Sequence, residues 1–256
     1  MLIAPKLTQW ITPDWPAPAK VRALVSTRAG GFSRPPYEGF NTALHVGDNP
    51  SDVLKCRQLF LLQVGAKRAP QWLDQVHGVA VAEARDDQQV RTADACYTRE
   101  QNLICTLHTA DCLPVLFCDS VGRQVAAAHA GWRGLDAGVL ENALASFDGS
   151  PGDLMCWLGP AISQPYFEVG PEVRARFQAS QDVPAGAFIP SGRVSEQGEH
   201  FLTDLFSLAR ARLQAAGVKH IYGGDCCTYS DPRFFSYRRQ NPTGRILSAI
   251  WIQSTL

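Results

Sequence analysis

The chain has 256 residues, 45% of them hydrophobic and 19% charged, which is enough to bury a sizeable core and excludes a disordered or collagen-like protein. Its 24 basic side chains balance 24 acidic ones, so no overall field draws in nucleic acid or an anionic membrane, and any anion site has to be local. No apolar run approaches the roughly 18 residues that suggest a membrane span.

Residues 1–20 carry Pro5, Pro13, Pro16 and Pro18 and lack the apolar stretch of a signal peptide. A cytoplasmic protein is expected, with its eight cysteines reduced. No CxxC pair suggests a zinc ribbon. Residues 21–27 read as a strand and run into a Gly/Pro-rich loop that lasts to about 49. A helix is expected over 51–64, behind Asn49-Pro50-Ser51. Short strands are expected at 72–76, 79–83, 103–107, 114–118, 124–129 and 154–158. Between the last two, Leu135, Val139, Leu140, Leu144 and Phe147 have the spacing of one helix, stopped by Gly149 and Pro151. A short helix fits after Pro171. Residues 183–199, with Pro184, Gly186, Pro190, Gly192 and Gly198, read as an irregular, mobile excursion. A helix over 202–215, capped by Thr203 and Gly217, precedes strands at 219–223 and 246–252. Nothing repeats or changes composition abruptly, so residues 1–256 are read as one α/β domain.

Chemistry concentrates in residues 109–134. Two apolar strands flank a turn-rich connection at 119–123, the pattern of a hairpin. A symmetric loop would set residue 118 opposite 124 and residue 113 opposite His129, which places Cys112 beside His129. Neighbours across such a pair are close enough to share a metal ion or a proton. Ala126-Ala127-Ala128 before the histidine, and Gly131 and Gly134 after it, leave the backbone open to a ligand. A buried cysteine and a satisfied core histidine would give the same pattern. An open catalytic zinc needs a third ligand, and His77, at a strand end beside Gly78, offers one. His45, His108, His200 and His220 compete with it on spacing alone.

Seven or more spaced blocks resemble the YfiH-type laccase-domain family. They include Ser26-Thr-Arg28-Ala-Gly-Gly31, Asn41, His45-Val-Gly-Asp48, Gln75-Val-His77-Gly and Thr109-Ala-Asp111-Cys112-Leu-Pro. Ala128-His129-Ala-Gly-Trp-Arg-Gly134, Gly159-Pro-Ala-Ile162 and Tyr166-Phe-Glu-Val-Gly170 follow. Asp225-Cys-Cys-Thr-Tyr229, Phe235-Ser-Tyr-Arg238-Arg239 and Thr243-Gly-Arg245 complete the set. The region 159–167 lacks cysteines that many relatives place there, so no chemistry is rested on it. The resemblance implies a four-layer α/β/β/α sandwich of mixed sheets, with one zinc held by His77, Cys112 and His129; His108 falls outside the matching block. It also implies phosphorolysis of adenosine, inosine and S-methyl-5′-thioadenosine, with some adenosine deamination. The laccase name implies copper-dependent phenol oxidation, and some relatives imply peptidoglycan precursor editing.

Six histidines in all are too few for a multicopper oxidase, although copper can replace zinc at an N/S site. Two imidazoles and a thiolate leave a fourth position for water, phosphate or substrate. A phosphate dianion needs cationic clamps, and Arg28, Arg133, Arg238 and Arg245 lie in suitable motifs, with Arg28 and Arg238 favoured. A surface ion pair is the plainer role for each arginine. Trp132, Phe235 and Tyr237 offer a stacking face for a purine, or simply core. Asp111 is expected to orient a zinc ligand or to cap the turn. Asn41 and His45 are expected to meet a ribose, with a polar turn as the plainer role. The expected partners are therefore a purine nucleoside and phosphate, with oligomeric state left open. A metal-free hydrolase with Cys112 as nucleophile and His129 as base, or a module with a purely structural zinc, are the alternatives.

Overall fold

Strands that bury both faces must divide their side chains between two cores, and here that division sets the layers. The computed structural model describes residues 8–180 and 183–254. In chain order they form β1 (Trp10–Ile11), β2 (Val21–Ser26), α1 (Pro50–Val64), β3 (Leu73–Asp74), β4 (Val81–Glu83), β5 (Arg91–Thr92) and β6 (Ala95–Thr98). Next come β7 (Cys105–Thr109), β8 (Leu113–Asp119), β9 (Val125–Ala130), α2 (Trp132–Ala137), α3 (Val139–Ala145) and β10 (Leu154–Leu158). The chain ends with β11 (Glu168–Val169), α4 (Pro171–Ser180), β12 (Phe188–Ser195), β13 (Gly198–Thr203), α5 (Leu205–Ala215), β14 (His220–Gly223) and β15 (Ile246–Ile252).

One sheet has the order β1-β2-β15-β7 and is antiparallel. The other, β14-β10-β8-β9-β6-β4, is antiparallel in its middle and parallel at both edges. Leu116, Cys118, Val125 and Ala127 of the larger sheet pack against Val21, Val25, Leu107, Ile246 and Ile250 of the smaller. Their strand neighbours Val115, Phe117, Ala126 and Ala128 face the other way, onto Leu140 of α3 and Leu208 and Leu213 of α5. Leu24, Leu247 and Ala249 pack beneath Cys56 and Phe60 of α1. Three cores between four layers make an α/β/β/α sandwich, in which alternation along each strand sends residues to opposite sides.

Four sequence expectations change. The helix expected over 135–147 is two, because Gly138 turns left-handed at φ 100° and caps α2; the apolar spacing runs through this break and does not reveal it. Residues 183–199 are irregular only as far as 187. They contribute to a β12–β13 hairpin, with Pro190 on the edge strand and an irregular register between Pro190 and Val194, where proline and glycine are tolerated. Thr203 belongs to β13, and the cap of α5 is Asp204, whose carboxylate accepts from the amides of Phe206 and Ser207. Finally, the β8–β9 register is displaced by one residue from the expected one: Pro114, not Leu113, pairs with His129, and Cys118 pairs with Val125. The cause is the Asp119 carboxylate, which accepts from the amides of Arg123 and Gln124 and tightens the turn.

Candidate metal site and cavity

The corrected register explains how Cys112 and His129 meet. Carried one step beyond β8, it sets Cys112 opposite Gly131, two residues past His129. Gly131 has φ −63°, open to any residue, so its lack of a side chain matters for space. A Cβ there would stand 2.9 Å from His77 Cδ2 and 3.1 Å from Cys112 Sγ. The Gly131→Ala variant should therefore fold but bind metal more weakly, which isothermal titration with zinc would measure. Unchanged affinity would show that the three side chains have room to spare.

His129 lies on the face of β9 that looks between the sheets, and only 3% of it is exposed. His77 comes from the turn between β3 and β4, in the left-handed region at φ 61°. Cys112 Sγ is 3.8 Å from His77 Nε2, and the His77 and His129 rings meet edge to face at 4.8 Å. Ligand atoms of His77, Cys112 and His129 lie within 4.8 Å of one another, the one such group of three among the described residues. The spacing and the donor set, two imidazoles and one thiol, fit a single small cation with an open position.

Asp94 was not foreseen from the sequence. It precedes β6, whose pairing of Ala95 with Ala128 sets Asp94 opposite His129. Its Oδ1 accepts from His129 Nδ1 at 2.8 Å and from the His77 amide at 2.9 Å. Its Oδ2 accepts from the amides of Val76 and Gly78 at 3.2 and 2.6 Å. The only sequence signal would have been strand β6 itself, and Ala-Cys-Tyr-Thr has no alternation to betray it.

Burial opposes charge on Asp94, but the His129 hydrogen bond and the Gly78 amide hold it below the usual carboxylate range. Burial also opposes charge on His129, yet the Cys112 thiolate and then the Asp94 carboxylate raise it to about 9. Burial pushes the Cys112 thiol up; the His129 imidazolium, with hydrogen bonds from His129 and His77, outweighs it and brings the thiol down to about 6. The thiolate is the nucleophile. Carboxamidomethylation of Cys112 in metal-free protein should thus accelerate through pH of about 6, as peptide mass spectrometry would follow. A midpoint close to that of an ordinary thiol would mean that His129 does not carry the opposing charge.

The three residues lie in a cavity of about 400 Å³, also lined by His45, His108, Thr109, Phe167, Tyr237, Arg238 and Arg245. Arg245 Nη1 donates to the carbonyls of Thr243 and Gly244 at 2.9 and 3.1 Å. Arg238 makes long contacts, 3.4 and 3.3 Å, to the carbonyls of Tyr166 and Glu168. Neither is ion-paired with a carboxylate among the described residues. Thr109 Oγ1 is buried without a partner. His108 is engaged elsewhere: Nε2 meets Thr42 Oγ1 at 2.9 Å, its ring stacks on Trp72, and burial, then Arg57, keeps it neutral.

Other expected site residues lie apart. Arg28 is not in the cavity wall; its guanidinium sits over the Phe235 ring and donates to the Glu38 carbonyl. Asn41 is fully buried and braces its own loop, donating to Asp48 Oδ2 and accepting from the Arg245 amide. Asp111 lines the cavity at φ 88°, but its carboxylate accepts from Thr228 Oγ1 and the Arg238 amide, tying the C-terminal segment to β8 and making no hydrogen bond to a candidate ligand. Arg133 lies over Trp132, which packs with the helices, and Phe235 is core. His200 pairs with Glu168. No helix among the described residues is long and apolar enough to cross a membrane.

Comparison with known proteins agrees with this architecture. Residues 22–253 match the family described as multi-copper polyphenol oxidoreductase laccase. The chain is 50% identical over 249 residues to a purine nucleoside phosphorylase of Pseudomonas aeruginosa, covering 96% of this chain and 100% of that protein. Purine nucleoside phosphorylase YfiH of Escherichia coli is 46% identical over 248 residues, with the same coverage. The crystal structure of a Neisseria meningitidis DUF152 protein, 43% identical, superposes with a TM-score of 0.89 over 96% of this chain and 99% of that one. The chain therefore belongs to the YfiH-type laccase-domain family, whose members include proteins named purine nucleoside phosphorylase.

Proposed function

We propose that this protein is a zinc-dependent purine nucleoside phosphorylase acting on adenosine, inosine and S-methyl-5′-thioadenosine, with adenosine deamination as a side reaction. The observation that carries the reading is the convergence of His77, Cys112 and His129 in a cavity whose wall also holds two arginines without carboxylate partners among the described residues. Its volume of about 400 Å³ suits a small molecule. A borderline-soft donor set with one thiolate suits zinc, which when bound would supply Lewis-acid polarisation at its open position.

The chain's own groups divide the remaining work. Arg245 and Arg238 hold the phosphate, because their planar forks match its oxygens. Tyr237 and Phe167 pack against the base. His45 lines the cavity and is available to the sugar. All eight cysteines are free and five are buried, which suits the reducing cytoplasm. Copper would bind the same donors more tightly than zinc, so weak phenol oxidation by copper-loaded protein is a loading artefact in this reading.

One observation favours a second reading. Cys112, His129 and Asp94 also form a thiolate–imidazolium–carboxylate chain, the arrangement of a cysteine hydrolase, and an amidase acting on peptidoglycan precursors would use it without metal. Purified protein assayed with inosine and phosphate separates the two. The phosphorylase reading expects hypoxanthine and ribose 1-phosphate, about one zinc per chain, and loss of activity on chelation. An amidase activity that survives chelation but not thiol alkylation would replace it.

A further inference from the structure

A buried carboxylate that only capped a turn would need the amides of that turn and nothing more. Asp94 does more. It is 0% exposed, and its two oxygens accept four N–H donors, two each. Three are consecutive amides of residues 76–78; the fourth is the ring of His129, which comes from a different strand. The backbone repeats the link, since the His129 amide donates to the Asp94 carbonyl at 2.7 Å.

We infer that Asp94 is the positioning residue that builds the metal site before any metal enters it, by setting both histidine ligands from one carboxylate. The inference rests on the metal-site reading above. For His129, the hydrogen bond engages Nδ1–H, so the ring cannot rotate and Nε2 is the atom left to face Cys112 and a cation. This holds whether the ring is neutral or charged, because Nδ1 carries its proton in both states. For His77, the three amides curl around the carboxylate and hold the residue at φ 61°, in the left-handed region that few residues other than glycine occupy. One anion thus fixes the backbone of one ligand and the ring of another.

Asparagine is a poor replacement here. It keeps one acceptor oxygen and turns an NH₂ group toward donors that had been satisfied. In Asp94→Asn the zinc affinity, read by competition with a chromophoric chelator, should fall about 10–100-fold, and the visible spectrum of the cobalt-substituted protein should change. A purely structural Asp94 would lower the thermal midpoint and leave both readouts as in the wild type, which would overturn the inference.

A wild-type measurement keeps the test independent of that variant's folding. In metal-free protein with ¹⁵N-labelled histidine, a downfield, slowly exchanging Nδ1–H proton is expected for His129, assigned by its absence in His129→Gln. A His129 ring protonated only at Nε2, or averaging between orientations, would sink the inference. If the wild-type protein binds no zinc, the metal-site reading fails, and the nuclear magnetic resonance result still decides whether Asp94 fixes the ring.

Discussion

Cys112→Ala is expected to give a folded protein that has lost its zinc and its phosphorolysis together. Structural zinc binding of about 10–16 kcal/mol shared among four ligands makes one ligand worth about 2.5–4 kcal/mol, or about 10²–10³-fold in affinity. The fold should tolerate the change. Cys112 is only half-buried and precedes β8, and its thiol makes no contact that holds two layers together. The thermal midpoint of the variant should therefore match that of metal-free wild type and, unlike the wild type, gain nothing from added zinc. The variant also separates the two chemistries. An inactive protein that keeps one zinc per chain would make Cys112 a nucleophile; an active protein without zinc would remove the metal from the reaction.

Arg245→Ala should raise the KM for phosphate about 10–100-fold, the range expected when a hydrogen bond to a charged group is lost. Arg245 is partly buried, and burial, partly offset by the Cys112 thiolate, depresses its pKa. Among the described residues only its Nη1 donates a hydrogen bond, to the carbonyls of Thr243 and Gly244, which leaves the rest of the fork for a ligand anion. Arg245→Lys should recover part of the loss, since it restores charge without the planar geometry. Arg238 is exposed and its contacts within the chain are long, so Arg238→Ala should have the smaller effect. Steady-state kinetics with phosphate and nucleoside varied separately decide the matter. A rise confined to the nucleoside KM would place Arg245 against the sugar or base instead.

Much of the site was legible because its parts sit on a local hairpin. Cys112 and His129 flank β8 and β9, and the small residues around them mark a close approach, so their meeting survives the one-residue error in register. That error came from a side chain: Asp119 closes the turn in a way that loop length alone does not disclose. His77 could not be chosen over His108 by spacing; the structure separates them because His108 is held by Thr42 and Trp72. Asp94 stayed hidden because it acts through a short strand without alternation, paired to β9 across 33 residues of chain. The hydrogen bonds of Asn41 and Asp111 were hidden for a related reason. Polar residues in motif-rich loops suggest ligand contact, yet both are engaged with the backbone of the segment that carries Arg238 and Arg245. Gly138 and the β12–β13 hairpin show the same limit, since glycine and proline mark a departure from regular structure without saying which kind.

The claim beneath all of this is that one sulfur and two imidazole nitrogens hold a single cation. X-ray absorption at the zinc edge of loaded protein tests it most directly. The account predicts one sulfur at about 2.3 Å and two histidine nitrogens at about 2.0–2.1 Å, with a lighter fourth neighbour. A first shell without sulfur, or one in which sulfur persists in Cys112→Ala, would contradict it.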